Sequence, residues 1–416
     1  MLNEDLMEQM LESESLRLAW KAVKSNKGSA GVDHIEVEEF LDHIRPHWEQ
    51  LKKKILEGSY KPAPVKRVYI PKGRGQRRPL GIPTVQDRLL QQAMLQVMQP
   101  MFEESFSEHS YGFRPGRSAH DAVKAAQAFV KTGKDWVVDI DLKSFFDEVN
   151  HDILMHRISK RIPDKRLLKF LGKYLRSGVL VDGKVRKSAK GVPQGGPISP
   201  LLANIYLDAL DKELESRGLS FCRYADDCNI YVRSQKAAER VFDSVTQWIE
   251  KNLKLPVNRE KSDTGRPWDR QFLGYQPTKR GDLKPSKKAL EKYKTKVRTM
   301  FSNLNSLTGK ELCKNWQQFV RGWCNYFCLA NDRYWRKPLS GWTRRHIRKC
   351  FWLRWHGAKG RRRRLTELGV HPNTVKRTHL TGAAWPLATS PAMNSALNNK
   401  KLYKLGFHVP FDFAAV

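Results

Sequence analysis

The chain has 416 residues, 40% of them hydrophobic, so it can bury a sizeable core in two or three domains and is not a disordered tail. It carries 76 Lys and Arg against 43 Asp and Glu, a net charge of +33. Residues 266–416 contain 32 of the basic residues and only 7 of the acidic ones. Such an excess needs a polyanionic partner, and nucleic acid is the first candidate, ahead of an anionic membrane surface.

Cysteine usage and charge pattern indicate an intracellular protein. The six Cys are scattered, and a disulfide framework is unusual in a chain this long, so we expect reduced thiols. The acidic N-terminus lacks the basic-then-apolar pattern of a signal peptide. The longest uncharged run, residues 378–399, contains two Pro and many polar residues and cannot cross a membrane. We therefore expect a soluble protein of the bacterial cytosol or nucleoid, with no membrane partner.

Residues 5–24 predict an amphipathic helix, helical patterns resume after a loop at 26–37 and continue to about residue 56, and a basic hairpin follows. Residues 65–70 predict a strand, the Gly-rich GRG at 73–75 predicts a turn, and RRPLGIP returns. Helical patterns follow at residues 87–106 and from about residue 119. The cationic side chains of the hairpin suit contact with a triphosphate or a nucleic-acid backbone.

An acidic strand comes next. In residues 135–142, DWVVDIDL, the alternation places Val138 and Ile140 on one face and Asp139 and Asp141 on the other. Carboxylates on a strand that is otherwise suited to burial need a partner, because an isolated buried charge is costly. Alternation does not choose between Asp139 and Asp141.

A second acidic segment lies on a hairpin turn. Residues 221–232, FCRYADDCNIYV, predict strand, tight turn and strand, with Asp226 and Asp227 at the turn. Neighbours in an extended segment point to opposite faces, so we rank Asp226 above Asp227 as the partner of Asp141. Carboxylates from two adjacent strands are the hard oxygen ligands that two Mg²⁺ ions require for nucleotidyl transfer, with Mn²⁺ as a substitute.

The C-terminal third is helical and basic from residue 287 to about residue 364, and the last fifty residues are broken by Pro and Gly. Residues 344–364 hold ten Lys or Arg interrupted by Phe351, Trp352 and Trp355. One interpretation is a helix with core aromatics and a solvated face. We favour a groove for structured RNA, with cations on phosphates, because eight of the twelve Trp also follow residue 265.

An ordered set of motifs resembles the group II intron reverse transcriptases. The set comprises NKGSAGVD (26–33), PKGRGQRRPLGIPT (71–84), SYGFRPGRSAHDAV (110–123), VVDIDLKSFFDEVNH (137–151), PQGGPISPLLANIYL (193–207), YADD (224–227), VNREKS (257–262) and FLGY (272–275). Downstream, NWQQFVRGWCNYF (315–327) resembles the maturase region of that family. The resemblance covers about residues 15–350, most of the chain.

The resemblance implies an α+β fold, a right-hand polymerase with fingers, a palm with an antiparallel sheet, a helical thumb and a basic C-terminal extension. It implies fingers and palm over residues 1–285, a thumb and maturase region over 286–365, and a small C-terminal module over 366–416. The implied activity is RNA-directed DNA synthesis together with maturase assistance to splicing and retrohoming. The implied partners are an RNA template, a DNA primer, dNTPs, group II intron RNA and target DNA.

Site roles also follow from the resemblance, residue by residue. The acid of D-x-K-x-F-F corresponds to Asp141, which resolves the tie with Asp139, and the metal site then comprises Asp141, Asp226, Asp227 and the carbonyl of Leu142. The implied dNTP-binding residues are Lys72, Arg78, Phe146 as a steric gate against the ribose 2′-hydroxyl, Gln194 and Lys261. The implied primer grip is Phe272, Leu273, Gly274 and Tyr275. The implied template or RNA contacts are Gly28, Gly31, Arg114, Arg117, Arg344, Arg345 and Arg348.

Three other functions compete with this interpretation. One is a free-standing relative acting in DNA repair or phage defence, and another is an RNA-binding splicing factor with a vestigial polymerase core. The presence of Asp141, Phe146, Gln194 and Asp226 argues against the latter. A basic nucleoid protein does not explain the ordered acidic motifs. No Cys pairs or His cluster after residue 365 could build a zinc-supported endonuclease, so the chain is expected to be of the endonuclease-minus type.

Overall fold

The computed structural model describes residues 5–73, 76–186, 189–302 and 307–413. Backbone contacts divide the chain into two compact units, Met1–Arg266 and Pro267–Val416, so the division precedes the expected boundary at residue 285. The first unit contains, in chain order, α1 (Leu6–Met10), α2 (Ser13–Ser25), α3 (Phe40–Ile44), α4 (Trp48–Leu56), β1 (Val65–Gly73), β2 (Gln76–Ile82), α5 (Val85–Glu103), α6 (Ala119–Lys131), β3 (Trp136–Ile140), α7 (Phe145–Glu148), α8 (His151–Ser159), α9 (Lys165–Leu175), β4 (Val179–Val181), β5 (Lys184–Arg186), α10 (Ser199–Ser216), β6 (Ser220–Tyr224), β7 (Asp227–Val232), α11 (Gln235–Trp248) and β8 (Asp263–Gly265).

The second unit begins with a short hairpin and continues as helices. Its elements are β9 (Tyr275–Pro277), β10 (Leu283–Pro285), α12 (Lys287–Ser302), α13 (Gly309–Tyr326), α14 (Arg336–Arg354), α15 (Gly357–Glu367), α16 (Pro372–Arg377), α17 (Ala384–Leu387), α18 (Pro391–Ala396) and α19 (Asn399–Lys404). Helix α13 starts at a capping box, in which Thr308 and Glu311 bond reciprocally to each other's backbone amide.

The central sheet of the first unit has the order β6-β7-β3-β8, and every pairing in it is antiparallel. The predicted antiparallel palm sheet is therefore confirmed. Val138, Ile140, Phe221 and Ile230 are completely buried in the sheet. Alternation puts Asp139 and Asp141 on the face opposite to Val138 and Ile140, as expected from the sequence.

The predicted basic hairpin is also present. Strands β1 and β2 pair antiparallel, and they join β4 and β5 in a sheet of order β2-β1-β4-β5. The turn residues 74–75 lie outside the described residues. The predicted helix at 87–106 corresponds to α5, whose Thr84 cap accepts a hydrogen bond from the Asp87 amide at 3.0 Å.

The second unit is cored by aromatic side chains of α12, α13 and α14. Trp316, Tyr293 and Trp352 are almost fully buried. The C-terminal segment packs onto these helices, because the Trp316 indole donates to the His408 carbonyl at 2.7 Å and α17 lies against α14. The described part of the expected C-terminal module thus shares the core of this unit.

Two further sequence expectations concern thiols and membranes. All six Cys are free, as expected. Burial raises the pKa of the Cys324 thiol to about 12 and also raises the pKa of Cys350, which keeps both thiols protonated. Within the described ranges, every helix falls short of the length and apolarity that a membrane span demands.

A buried ion pair ties the β6–β7 hairpin to the rest of the first unit. The guanidinium of Arg223 bonds both carboxylate oxygens of Asp211 on α10, at 2.7 and 2.6 Å, and both side chains are at most 1% exposed. The same guanidinium donates to Asn204 at 3.1 Å and to the Ser110 hydroxyl at 2.7 Å. A bidentate pair with this many partners holds a strand, a helix and a loop in one arrangement.

We predict that Arg223→Met destabilises the protein by about 3–5 kcal/mol, because it leaves the Asp211 carboxylate buried without a countercharge. The double variant Asp211→Leu/Arg223→Met should regain much of that loss, since apolar side chains of similar volume replace both charges. Urea unfolding of the two variants beside the unaltered protein measures the effect. A single variant as stable as the unaltered protein would contradict the assignment.

Candidate active site

Asp141 directly follows β3 and is fixed by the segment 257–262. Its amide donates to the Ser262 hydroxyl at 2.8 Å, and its carbonyl accepts from the Asn258 amide at 2.9 Å. The Asn258 side-chain amide donates to the Asp141 carboxylate at 3.2 Å. Of this motif, only Lys261 was expected in the site, yet its neighbours Asn258 and Ser262 position Asp141.

Leu142 continues the strand as a single bridge to Val257. The two hydrogen bonds of this bridge join the Lys143 amide to Pro256 and the Asp141 carbonyl to Asn258. Neither uses the carbonyl of Leu142, which points away from this pairing. That orientation is compatible with the metal contact expected for the Leu142 carbonyl.

The second acidic segment lies on a two-residue turn. Tyr224 pairs with Asp227, so Ala225 and Asp226 are the central residues of the hairpin. Ala225 has a φ of +58°, a left-handed conformation that is unusual for a residue with a Cβ. The Ala225 carbonyl accepts a hydrogen bond from Arg223 at 2.8 Å, and Gly112 packs against its amide, where a Cβ would overlap.

The strand register relates Asp141 to the two acids of the turn. Ile140 pairs with Cys228, and continuing this register by one residue beyond the end of β3 would place Asp141 opposite Asp227. Directly opposite residues of an antiparallel pair point to the same face. Asp226 belongs to the turn, where the strand alternation that ranked it above Asp227 does not apply. The turn keeps Asp226 next to this acidic pair.

Asp139 lies one pair further along the sheet. It is opposite Asn229 of β7 and Asp263 of β8. It therefore faces the same side of the sheet as Asp141, but it is set back from the hairpin turn that carries Asp226. The position closest to the turn belongs to Asp141.

The donor set suits a hard divalent cation. Three carboxylates of Asp141, Asp226 and Asp227 offer oxygen ligands, whereas burial raises the pKa of the neighbouring Cys228 thiol well above its ordinary value and keeps it protonated. As they stand, no three His, Cys, Asp or Glu side chains of the described residues form a group that could hold an ion. A bound ion and substrate would have to draw the carboxylates together.

Phe146 and Gln194 line one cavity of about 120 Å³, together with residues of β1, β2 and β4. Phe146 packs edge-on against Phe145 at 5.1 Å between ring centroids, and Phe145 is buried in the core. The Gln194 carbonyl accepts from the Gly81 amide at 2.7 Å, which attaches this loop to β2. Two basic residues that the sequence analysis did not select, Arg67 and Lys190, line the same cavity.

The close approach between this loop and β2 requires glycine. Gly195 has a φ of +118°, and a Cβ there would overlap the Gly81 carbonyl. Both features exclude a side chain at Gly195. The glycine run of PQGG therefore allows the loop backbone to dock on the basic hairpin.

Three other residues were expected to contact the dNTP: Lys72, Arg78 and Lys261. Arg78 is exposed on β2 opposite Ile70 and does not line the cavity, whereas Arg67 of β1 does. The side chain of Lys72 lies outside the described residues. Lys261 is exposed on a turn in which its amide donates to the Asn258 carbonyl at 3.0 Å.

Several expected template contacts have structural partners instead. Arg114 is 7% exposed, pairs with Glu103 at 2.7 Å and donates to the carbonyls of Ser107 and Ser110. The Arg114 guanidinium is therefore occupied by Glu103 of α5 and by two carbonyls of the loop 107–118. We reassign Arg114 from template contact to support of this loop. Arg117 is ion-paired with Glu108.

The two glycines expected in a template lid are packed against α5. A Cβ on Gly31 would lie 2.6 Å from the Thr84 Cα, and a Cβ on Gly28 would overlap the Arg88 guanidinium. Arg88 also donates to the Ser29 carbonyl at 2.6 Å. Close packing therefore accounts for both glycines, independently of any contact with nucleic acid.

The expected primer grip, in the second unit, is a tight turn. Phe272 and Tyr275 exchange two backbone hydrogen bonds of 2.9 Å, and Leu273 and Gly274 between them have φ values of +50° and +82°. Positive φ at both central residues is typical of a type I′ hairpin turn. The hydroxyl of Tyr326, from the maturase-like motif, donates to the Leu273 carbonyl at 2.7 Å.

The three arginines expected to bind RNA hold the C-terminal segment. Arg345 stacks over the Trp385 ring at 4.0 Å and donates to its carbonyl, and Arg348 donates to the Leu397 carbonyl at 3.0 Å. Arg344 pairs with Asp412 at 3.4 Å. Arg348 is only 9% exposed, so we reassign it to a structural role.

Comparison with known proteins agrees with this arrangement. The family described as reverse transcriptase (RNA-dependent DNA polymerase) matches residues 70–277, which is half of the chain. The group II intron, maturase-specific domain matches residues 290–369. Reverse transcriptases generally use divalent metal ions, and the two domains together imply binding of RNA and DNA.

Individual relatives extend the comparison. Protein YkfC of Escherichia coli (strain K12) is 35% identical over 297 residues, which cover 62% of this chain and 78% of YkfC. The group II intron-encoded protein LtrA of Lactococcus lactis subsp. cremoris is 36% identical over 220 residues, covering 51% of this chain and 36% of LtrA. The matched region is thus about a third of LtrA.

A solved partial Cas6-RT-Cas1–Cas2 complex contains a chain that is 25% identical, with a TM-score of 0.39, covering 59% of this chain and 42% of that one. Together, the two matched families and the similarity to YkfC show that this chain belongs to the reverse transcriptases, the RNA-directed DNA polymerases, and to the group among them that carries a group II intron maturase-specific domain.

Proposed function

We propose that this chain copies RNA into DNA at a site formed by Asp141, Asp226 and Asp227, and that these carboxylates hold two Mg²⁺ ions, for which Mn²⁺ substitutes. The observation that carries the proposal is the register of β3 on β7, which pairs Ile140 with Cys228 and so brings Asp141, Asp226 and Asp227 to the same end of the sheet. When bound, the ions would activate the primer 3′-hydroxyl and neutralise the charge of the phosphates. The carbonyl of Leu142 would complete the ligand set.

The chain's own contribution is to fix the backbone that carries these acids, while bound ions and substrate would draw the carboxylates together. Ser262 and Asn258 fix the backbone and carboxylate of Asp141. Arg223 fixes the turn through the Ala225 carbonyl. Hydrogen bonds that orient a metal-ligating carboxylate are a usual contribution of the protein at such sites.

We assign dNTP selection to the cavity lined by Phe146 and Gln194. Because Phe146 is backed by the buried Phe145, its ring cannot retreat, and it would collide with a ribose 2′-hydroxyl. Arg67 lines the same cavity and is a candidate for the triphosphate, together with Lys72, Arg78 and Lys261. Basic side chains at such positions suit phosphate oxygens.

We further propose that the second unit makes this protein a maturase that binds its group II intron RNA, assists splicing and retrohoming, and contacts target DNA. The support is the match to the maturase-specific domain and the basic excess of residues 266–416. In this proposal residues 1–285 act as fingers and palm, 286–365 as thumb and 366–416 as an extension joined to the thumb core. RNA affinity should fall with salt, with a log–log slope of roughly −0.7 to −0.9 per neutralised phosphate.

We predict that Asp226→Asn lowers primer extension with an RNA template, dNTPs and Mg²⁺ by at least about 100-fold, because even partners one step removed from a metal contribute about 10–100-fold. The matched control is Asp243→Asn, which removes the same charge from an exposed position on α11. Its activity should equal that of the unaltered protein. Equal synthesis by Asp226→Asn and the control would defeat the catalytic assignment.

We predict that Phe146→Ala raises the use of ribonucleotides relative to deoxyribonucleotides by on the order of tenfold or more, since the collision with the 2′-hydroxyl is removed. Phe146→Tyr keeps the bulk and should keep the discrimination. The measurement is kcat/KM for one dNTP and its NTP counterpart with each variant. An unchanged ratio in Phe146→Ala would remove Phe146 from the gate role.

A further inference from the structure

The second unit contains a cavity of about 400 Å³ next to the Leu273–Gly274 turn. We call it the aromatic cavity, because five aromatic side chains line it: Tyr293, Phe319, Trp323, Tyr326 and Phe327. Cavities of about 300–1,000 Å³ commonly take small ligands or single building blocks of larger ones. Leu273 and Gly274 of the expected primer grip line one side of it, whereas none of the candidate catalytic acids does.

The aromatic wall is rigid. The ring of Tyr293 lies 4.8 Å from Trp323 and 5.5 Å from Phe319, and Trp323 lies 4.5 Å from Phe327. The Tyr293 hydroxyl is paired with Thr343 at 3.1 Å, so the ring is fixed at its buried end. Rings held in this way offer a flat planar contact at little entropic cost.

The wall is open to solvent on one side. Phe319, Trp323 and Tyr326 are half-buried, whereas the core members Tyr293 and Phe327 are buried. Partly exposed aromatic faces beside cationic groups are the usual platform for the bases of single-stranded nucleic acids.

Two lysines lie at the edge of the aromatic cavity. Lys288 and Lys292 lie one turn apart on α12, line the cavity and are exposed. Within the described residues no carboxylate forms an ion pair with either of them, and the nearby Glu291 pairs with Lys294 and Arg298 instead. Both ammonium groups are therefore available to phosphates.

We propose that the aromatic cavity binds one unpaired nucleotide of a nucleic-acid strand, with its base stacked on Phe319 and Trp323 and its flanking phosphates on Lys288 and Lys292. The chemistry favours a nucleotide over an apolar peptide, because a peptide would not use the two free cations. This inference deepens the proposed function, since it takes nucleic acid as the partner of the second unit.

The first test is the salt dependence of binding of a single-stranded RNA oligonucleotide to the full chain. The double variant Lys288→Gln/Lys292→Gln should reduce the log–log slope by about 1.4, as expected for two phosphates of a single strand. The matched control is Lys310→Gln/Lys314→Gln, an exposed pair with the same spacing on α13. A slope change in the first variant no larger than in the control would overturn the proposal.

The second test combines photocrosslinking of the unaltered chain with one variant of the aromatic wall. RNA carrying 5-iodouridine, irradiated in complex with the unaltered chain, should form its crosslinks at Phe319, Trp323 or Tyr326, as mapped by mass spectrometry. Phe319→Ala should weaken binding roughly tenfold, the usual range for one base stack. Crosslinks confined to residues outside the cavity would overturn the proposal.

Failure of this inference can be separated from failure of the proposed function. Asp226→Asn, which should not extend a primer, should still give the crosslink. If the unaltered chain extends a primer but forms no crosslink in the cavity, the cavity proposal is wrong and the polymerase proposal stands. Intact crosslinking together with full extension by Asp226→Asn supports the cavity and defeats the polymerase assignment.

Discussion

The pairing of β3 with β7 is the constraint on which the site depends. It joins two acidic segments far apart in sequence by pairing Ile140, which precedes Asp141, with Cys228, which follows Asp227. Placing like charges together is unfavourable, so the fold must hold them by other interactions. Burial of the Val138 and Ile230 side chains supplies hydrophobic stabilisation. The buried Arg223–Asp211 ion pair attaches the β6–β7 hairpin to α10. Ala225 has a left-handed backbone conformation, which residues with a Cβ rarely adopt, so the fold imposes this turn against the local conformational preference.

Patterns of local origin were predictable from the sequence. The alternation of residues 135–142 placed Val138 and Ile140 in the core and Asp141 on the opposite face, and the hairpin around Asp226 is present. These features depend on strand period and turn composition, which a sequence displays directly.

Features that depend on tertiary contacts were not predictable. Asp226 was ranked above Asp227 on strand alternation, whereas the pairing of Tyr224 with Asp227 puts Asp226 in the turn and Asp227 at the start of β7. Arg114 and Arg348 read as exposed cations, yet their partners come from elsewhere in the chain. The support of Asp141 by Asn258 was also hidden, because the two segments meet only in the folded protein.

The central claim is that these carboxylates bind the catalytic cations together. The most direct measurement is anomalous diffraction from crystals of the chain with Mn²⁺, an RNA template, a chain-terminated DNA primer and a dNTP. The account predicts two Mn²⁺ peaks about 3.5–4 Å apart, both bridged by Asp141 and at least one bound by Asp226 or Asp227. Mn²⁺ bound with the nucleotide but coordinated by Asp139 in place of Asp141, or by none of these acids, would contradict it.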